Sequence, residues 1–185
     1  MLYHQLQQIR GQLRRREIKV SDALLVVFRY LRNHLPAERL IWLNRELLGY
    51  RKDDLSCLYE KPKSRQFSIF LPQPRKLELE VPMYRFLSGS WGKLDGAGKL
   101  VCCNQPDLLE RSIFCNIGIQ QIETQLEEIT DPETSLFSMS FDPKSGAEFY
   151  CWSDELTRVY DAVGLKLCDF IETVIQELKL ASNER

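Results

Sequence analysis

The spacing of apolar residues predicts three helices in the first fifty residues. Residues 2–16 carry apolar side chains at intervals of four, three and four, as one face of an amphipathic helix does: Leu2, Leu6, Ile9 and Leu13. A second helix is predicted to begin at Ser21, which is a good N-cap residue. A third is predicted between Pro36 and Gly49, because proline suits the first helical turn and glycine suits the position after the last.

The middle of the chain has a pattern typical of strands. Prolines interrupt any helix between residues 51 and 83, and residues 76–81 alternate between polar and apolar side chains as a half-exposed strand does. Residues 67–70 and 83–87 are further strand candidates. Glycines then predict a hairpin that leads into residues 100–103.

The last part of the chain returns to helical spacing. Residues 119–129 have a helical pattern, and a turn signature at residues 142–146 lies between two strand-like runs, which predicts a β-hairpin. From Ser153, apolar residues follow one helical face as far as Leu178. The pattern predicts an α+β fold with an N-terminal three-helix unit, a small and mostly antiparallel sheet, and a long C-terminal helix packed on it. Since we find no repeat or linker, we predict one domain over residues 1–185.

Charge is divided unevenly along the chain. The 185 residues have a net charge of −1, yet residues 1–85 carry 17 basic and 9 acidic side chains, whereas residues 86–185 carry 8 and 17. The two parts therefore have net charges of +8 and −9. We favour an arrangement in which their helices pack together and the charges complement one another. The alternative is a dipolar surface suited to head-to-tail association of copies or to an acidic partner.

Membrane insertion and secretion are not predicted. No apolar run approaches the roughly 18 residues that cross a bilayer, and the first residues lack the pattern of a signal peptide. We therefore predict a cytoplasmic protein. The cysteines, which include no C-x-x-C pair, are predicted to be buried reduced thiols: Cys57, Cys102, Cys103, Cys115, Cys151 and Cys168.

Residue types typical of catalysis do not form a recognisable set. His4 and His34 suit structural positions on predicted helices, and no paired Cys/His spacing indicates a metal site. The glycine-rich residues 88–99 lack the first glycine and the Ser/Thr of a Walker A loop, so we interpret them as a hairpin turn. Three glutamates are interpreted as a solvated helix face: Glu123, Glu127 and Glu128. The sequence predicts no catalytic residue, metal or cofactor and favours a non-enzymatic role.

Positive charge is concentrated at the end of the first predicted helix and just after it. The residues that form this basic cluster are Arg14, Arg15, Arg16 and Lys19. They are candidates for contacts to phosphate or to an acidic partner. The other interpretation is a solvated face or a face docked on the acidic part of the same chain.

One block of sequence resembles a known family. Residues 42–50 (WLNRELLGY), preceded by Ser21-Asp22-Ala23-Leu24, are similar to the N-terminal signature of the AbiTii domain, a bacterial family linked to abortive infection and phage resistance. In that family a capped Ser-x-Ala-Leu helix is followed by a Trp-x-x-x-Glu-Leu-x-Gly-Tyr helix. Tyr84-Arg85, with glycines behind it, resembles the family's Tyr-Arg, and two later segments resemble its helices: Ile117–Leu126 and Asp161–Leu178.

The resemblance implies a single AbiTii-like domain over residues 1–185. Because the family's Tyr-Arg follows soon after its Gly-Tyr, residues 51–83 are predicted to be an inserted hairpin. The candidate binding residues are Trp42, Glu46, Tyr50, Tyr84 and Arg85. The alternative is structural, with Trp42 as a core anchor, Glu46 as a hydrogen-bond partner of a backbone group or an arginine, and Tyr50 as a lid at the helix end.

The leading functional hypothesis follows from this resemblance. It implies a non-enzymatic interaction or sensing domain with a protein partner, acting in phage defence or stress signalling. One alternative is a nucleic-acid-binding protein that uses the basic first half. Another is a small-molecule-binding module.

Overall fold

The computed structural model describes residues 2–51, 82–103, 108, 111–129 and 135–183. The strands predicted at residues 67–70 and 76–81, nearly all of the predicted insertion, and Cys57 lie outside these residues.

The helices agree closely with the spacing of apolar residues. The helices are α1 (Leu2–Arg14), α2 (Val20–Leu31), α3 (Ala37–Leu48), α4 (Ile119–Glu127) and α5 (Ser153–Asn183). The predicted apolar face of α1 is the face that is buried, and the C-cap of α3 is Gly49, as predicted. The α+β class and the long closing helix are therefore confirmed.

The start of α2 differs from the prediction. The helix begins at Val20, and the side chain of its N-cap residue, Lys19, forms no capping hydrogen bond. Ser21 instead donates two hydrogen bonds to the Glu123 carboxylate of α4, from its backbone N at 3.0 Å and from its hydroxyl at 2.5 Å. A carboxylate at this position interacts favourably with the positive end of the helix dipole. The hydrogen-bond acceptor at the start of α2 is therefore the Glu123 side chain of α4 and not the Ser21 hydroxyl.

Strands form two antiparallel sheets in the described part of the chain. One pairs β1 (Phe86–Ser88) with β4 (Ser112–Phe114). The other has the order β3-β2-β6-β5. Its strands are β2 (Ser90–Leu94), β3 (Leu100–Cys102), β5 (Leu136–Asp142) and β6 (Ala147–Trp152). The two predicted hairpins, β2–β3 and β5–β6, are confirmed.

The strand predicted over residues 83–87 is only partly correct. Met83–Arg85 forms a 3₁₀ helix that follows Pro82, and the strand begins at Phe86. Proline fixes its own φ and donates no hydrogen bond, which favours a turn at this point over an extended ladder.

The core lies where α5 meets the N-terminal helices and the inner face of the larger sheet. α5 packs against α1, α2 and α4 and contacts β6. Its fully buried side chains lie on one face: Leu156, Val159, Val163, Leu167 and Ile171. Within the described residues, no helix combines the length and apolar character needed to cross a bilayer.

The described cysteines are unpaired thiols, but not all of them are buried. Cys115, Cys151 and Cys168 are buried, as predicted. Cys102 is exposed and Cys103 is half-buried, so the prediction is wrong for Cys102. The reason is its position on β3, which lies at the end of the β3-β2-β6-β5 order.

Candidate functional site

The five candidate binding residues lie together. α3 carries Trp42 and Glu46 one turn apart, and Tyr50 follows directly after its C-cap. The 3₁₀ helix brings Tyr84 and Arg85 to the same place. Two stretches separated by more than thirty residues of sequence thus meet at one carboxylate, that of Glu46.

A buried ion pair forms the centre of this group. The Arg85 guanidinium donates to Glu46 Oε2 from Nε at 2.8 Å and from Nη2 at 2.6 Å. Both side chains are 0% exposed. Such a pair is costly to desolvate, so it persists only when good geometry and further hydrogen bonds satisfy the remaining polar atoms.

Those further hydrogen bonds are present. The hydroxyls of Tyr50 and Tyr84 donate to Glu46 Oε1 at 2.7 Å and 2.5 Å. Arg85 Nη1 donates to the carbonyl oxygens of Cys115 at 3.0 Å and Ile117 at 2.7 Å. Each carboxylate oxygen of Glu46 therefore accepts two hydrogen bonds, and each guanidinium nitrogen of Arg85 donates. We call these four side chains, Glu46, Tyr50, Tyr84 and Arg85, the carboxylate clamp.

Lys166 of α5 borders the carboxylate clamp. Its ammonium lies 4.9 Å from the centre of the Trp42 ring and 5.3 Å from that of Tyr84, and it donates to the Tyr84 hydroxyl at 3.3 Å. Trp42 also packs edge-on against Phe170, with ring centres 5.2 Å apart. Sequence reasoning missed Lys166, because a lysine beside the apolar stripe of a helix looks like any solvent-facing lysine.

The environment fixes the protonation states in the carboxylate clamp. Burial raises the pKa of both Tyr50 and Tyr84 well above its ordinary value, and the neighbouring Glu46 charge raises it further. Burial by itself would lower the pKa of Arg85, but the attraction and hydrogen bonds of Glu46 outweigh it and the pKa is raised. Both tyrosines therefore keep their protons as donors at neutral pH. The arrangement joins α3, the 3₁₀ helix and the backbone before α4, which supports the structural interpretation of these residues.

Alkaline pH is expected to weaken the fold through these tyrosines. In the unfolded chain they ionise near pH 10, whereas in the folded protein they retain their protons to higher pH. Since the unfolded state loses protons first, the free energy of unfolding should fall as pH rises above about 10. Urea unfolding between about pH 9 and about pH 11 tests this. A fall no steeper than in Tyr50→Phe and Tyr84→Phe would contradict it.

The basic cluster predicted from the sequence is largely paired with carboxylates. Arg16 lies 3.3 Å from Asp161, and Arg15 lies 2.6 Å from Glu17. Lys19 lies 2.5 Å from Glu127. Elsewhere on the first half, Arg10 contacts Glu172 and Arg39 lies 2.8 Å from Glu177.

Four of these ion pairs join the basic first half to the acidic second half. The pairs are Arg10–Glu172, Arg16–Asp161, Lys19–Glu127 and Arg39–Glu177. The expected complementarity of charge within the molecule is confirmed for these side chains. It also reduces the cationic surface that a nucleic acid would find on the first half.

The prediction of a solvated acidic face on α4 is confirmed for Glu127 and Glu128, which are exposed, and is wrong for Glu123. Glu123 is 7% exposed and accepts the two hydrogen bonds from Ser21, while Glu127 pairs with Lys19. Glu123 is buried because α4 lies against the start of α2, where its carboxylate meets two hydrogen-bond donors. Among the described residues, no group of three His, Cys, Asp or Glu side chains is placed to hold a metal ion.

Comparison of the chain with protein-family models, with curated proteins and with solved structures finds no match.

Proposed function

We propose that this chain is a non-enzymatic interaction or sensing domain of the AbiTii type, which acts in the cytoplasm in phage defence or stress signalling by binding a protein partner. The sequence of residues 42–50 supports the family. The interaction role is supported by exposed apolar side chains on the outer face of the larger sheet.

The register of the strands defines this outer face. Trp91 pairs with Phe149, and their rings contact each other on the inner side, where Phe149 is fully buried. Because side chains alternate along a strand, Glu148, Tyr150 and Trp152 belong to the opposite side. Phe141 pairs with Glu148 and therefore shares that side.

Apolar side chains are exposed on this outer face. Trp152 is 50% exposed and its pairing partner is Leu136 on β5. Phe141 is 59% exposed. Leu94, which pairs with Leu100, is 45% exposed near the other end of the sheet. These large exposed apolar side chains on one side of the sheet support a protein-binding role for that side.

The carboxylate clamp supports a binding role over catalysis. A general acid or base must reach the substrate with a polar atom. The polar side-chain atoms of Glu46 and Arg85 are hydrogen-bonded to each other, to two tyrosine hydroxyls and to two backbone carbonyls. The polar atoms of this group are thus committed to holding the fold together.

Affinity capture with matched surface variants tests this proposal. Wild-type chain should capture the same protein repeatedly from bacterial lysate, with or without phage infection. Phe141→Ser and Trp152→Ser should lose that protein, whereas Leu180→Ser, which removes a side chain 65% exposed on α5, should retain it. Equal capture by all the variants, or no partner for the wild type, would contradict the proposal.

Phage plating tests the biological role separately. Expression of the wild-type chain in a bacterial host should reduce plating by at least one phage, and Phe141→Ser should restore it. Plating that is unchanged by the wild-type chain across a broad phage panel would contradict a defence role while leaving the protein interaction standing.

A further inference from the structure

A groove lies between the α1–α2 connection and the middle of α5. Its volume is about 500 Å³, which is within the range of sites that hold small organic ligands. Leu13, Val20 and Gly164 contribute to its apolar lining. Gly164 allows α5 to pack closely on Val20 at the wall of the groove, since a Cβ atom there would come within 3.3 Å of Val20 Cγ2. Leu165, which is 68% exposed, extends the apolar surface to the edge.

Basic side chains border the same groove. They are Arg14, Arg16 and Lys19, three of the four residues of the predicted basic cluster. The carboxylates of Glu17 and Asp161 also line it, but each is paired with an arginine. Within the described residues, Arg14 forms no ion pair with a carboxylate.

The ion pairs at the groove can be exchanged at little cost. The side chains of Arg16 and Asp161 are 81% and 43% exposed, and those of Lys19 and Glu127 are 54% and 58% exposed. Pairs this exposed contribute little to stability, because water screens them. An anion that enters the groove can therefore replace a paired carboxylate without leaving a buried charge behind.

The backbone fixes the position of Arg16 at the groove. Its φ is +56°, in the left-handed region that glycine usually occupies after a helix. Its N–H donates to the Leu13 carbonyl at 3.0 Å, and the N–H of Glu17 donates to the Gln12 carbonyl at 2.9 Å. These two bonds form a Schellman motif, which ends α1 and directs the chain along the groove.

We propose that the groove binds a small amphipathic anion, in which an apolar body carries one carboxylate or phosphate group. The apolar body lies on Leu13, Val20 and Leu165, and the anionic group lies between Arg14 and Lys19. This site goes beyond the proposed interaction with a protein and uses none of the residues of the outer sheet face.

Calorimetric titration with octyl phosphate below its micellar concentration tests this site. Octyl phosphate should bind at least about tenfold more tightly than either 1-octanol or inorganic phosphate. The reason is that 1-octanol lacks the anionic group and inorganic phosphate lacks the apolar body. Octanoate in a parallel titration distinguishes a preference for carboxylate from a preference for phosphate. Absence of binding by both amphiphiles, or equal binding by inorganic phosphate, would overturn the proposal.

Three variants locate the binding site. Arg14→Gln should weaken octyl phosphate binding about tenfold, as loss of a charge-assisted contact does. Leu165→Glu, at an exposed position, should weaken it by placing a negative charge at the groove. The matched control Arg32→Gln removes an exposed arginine at the C-cap of α2, outside the groove lining, and should bind as the wild type does. If Arg14→Gln and Leu165→Glu also bind as the wild type does, the groove is not the site.

Discussion

Replacing Arg85 with methionine is expected to lower the free energy of unfolding by about 3–5 kcal/mol. Methionine keeps most of the volume of the side chain but removes the charge that compensates Glu46. The Glu46 carboxylate would then lie 0% exposed without its cation, and the carbonyls of Cys115 and Ile117 would lose their shared donor. Urea unfolding at neutral pH, monitored by tryptophan fluorescence, measures the loss.

A control variant at a second arginine and a double variant distinguish the loss of this buried ion pair from a general loss of charge. Arg39 pairs with Glu177 at 2.8 Å, but the pair is partly exposed. Arg39→Met should therefore cost about 1 kcal/mol or less. Glu46→Gln combined with Arg85→Met should be less destabilised than Arg85→Met alone, because no uncompensated charge remains buried. A cost for Arg85→Met no larger than that for Arg39→Met would show that the pair does not hold the fold.

The sequence could predict the local half of the candidate site. Trp42 and Glu46 are four residues apart on a helix, and helical geometry alone places them on one face. That Tyr84 and Arg85 join them depends on contacts between distant parts of the chain, which spacing does not encode. Only the AbiTii resemblance indicated that Tyr84 and Arg85 belong with residues 42–50. In the structure both residues form hydrogen bonds with Glu46.

The parts of the site that the sequence did not predict have a common physical cause. The acceptors for Arg85 Nη1 are backbone carbonyls, and every residue has one, so nothing in the sequence distinguishes Cys115 and Ile117. For Ser21 and Glu123 the local pattern predicts the commonest roles, a helix cap and part of a solvated face. Their actual roles arise only because α2 and α4 meet, where a buried carboxylate and two donors satisfy each other.

Charge asymmetry illustrates the same point at the scale of the whole chain. The sequence predicted that the basic and acidic halves would complement one another, and four ion pairs across the halves confirm it. Not every basic side chain of the first half takes part in these ion pairs. Around the groove it leaves Arg14 without a carboxylate among the described residues, and it leaves exposed pairs that an anion can displace. Complementarity within the molecule and a local anion site are therefore compatible.

Gly49→Ala is expected to lower the free energy of unfolding by about 3 kcal/mol. Gly49 has φ +92° and ψ 173°, a backbone conformation that is essentially restricted to glycine. A Cβ atom there would also lie 2.5 Å from the Asn116 carbonyl oxygen and 2.9 Å from the Gly118 nitrogen. Both are backbone atoms, so neither contact can be relieved by turning a side chain.

Two other glycines provide the controls for this variant. Gly98 has φ +76° with open space around its Cβ position, so Gly98→Ala should cost only about 1 kcal/mol, from backbone conformation. Gly96 also lies in open space, and its φ is outside the left-handed region. Gly96→Ala should therefore change stability by no more than about 0.5 kcal/mol. If Gly49→Ala lowers the free energy of unfolding no more than Gly98→Ala does, the close approach of the α3 C-terminus to residues 116–118 does not contribute to stability.

The cost at Gly49 extends to the carboxylate clamp. The N–H of Tyr50 donates to the Asn116 carbonyl at 2.8 Å, and this segment also provides the Ile117 carbonyl that Arg85 binds. Moving the segment away to admit a methyl group would therefore stretch the hydrogen bonds of Arg85. We expect Gly49→Ala and Arg85→Met to be non-additive for this reason, with a double variant less destabilised than the sum of the two. The Gly-Tyr that ends the AbiTii-like block thus has a physical explanation, since glycine allows the close approach and tyrosine donates to Glu46.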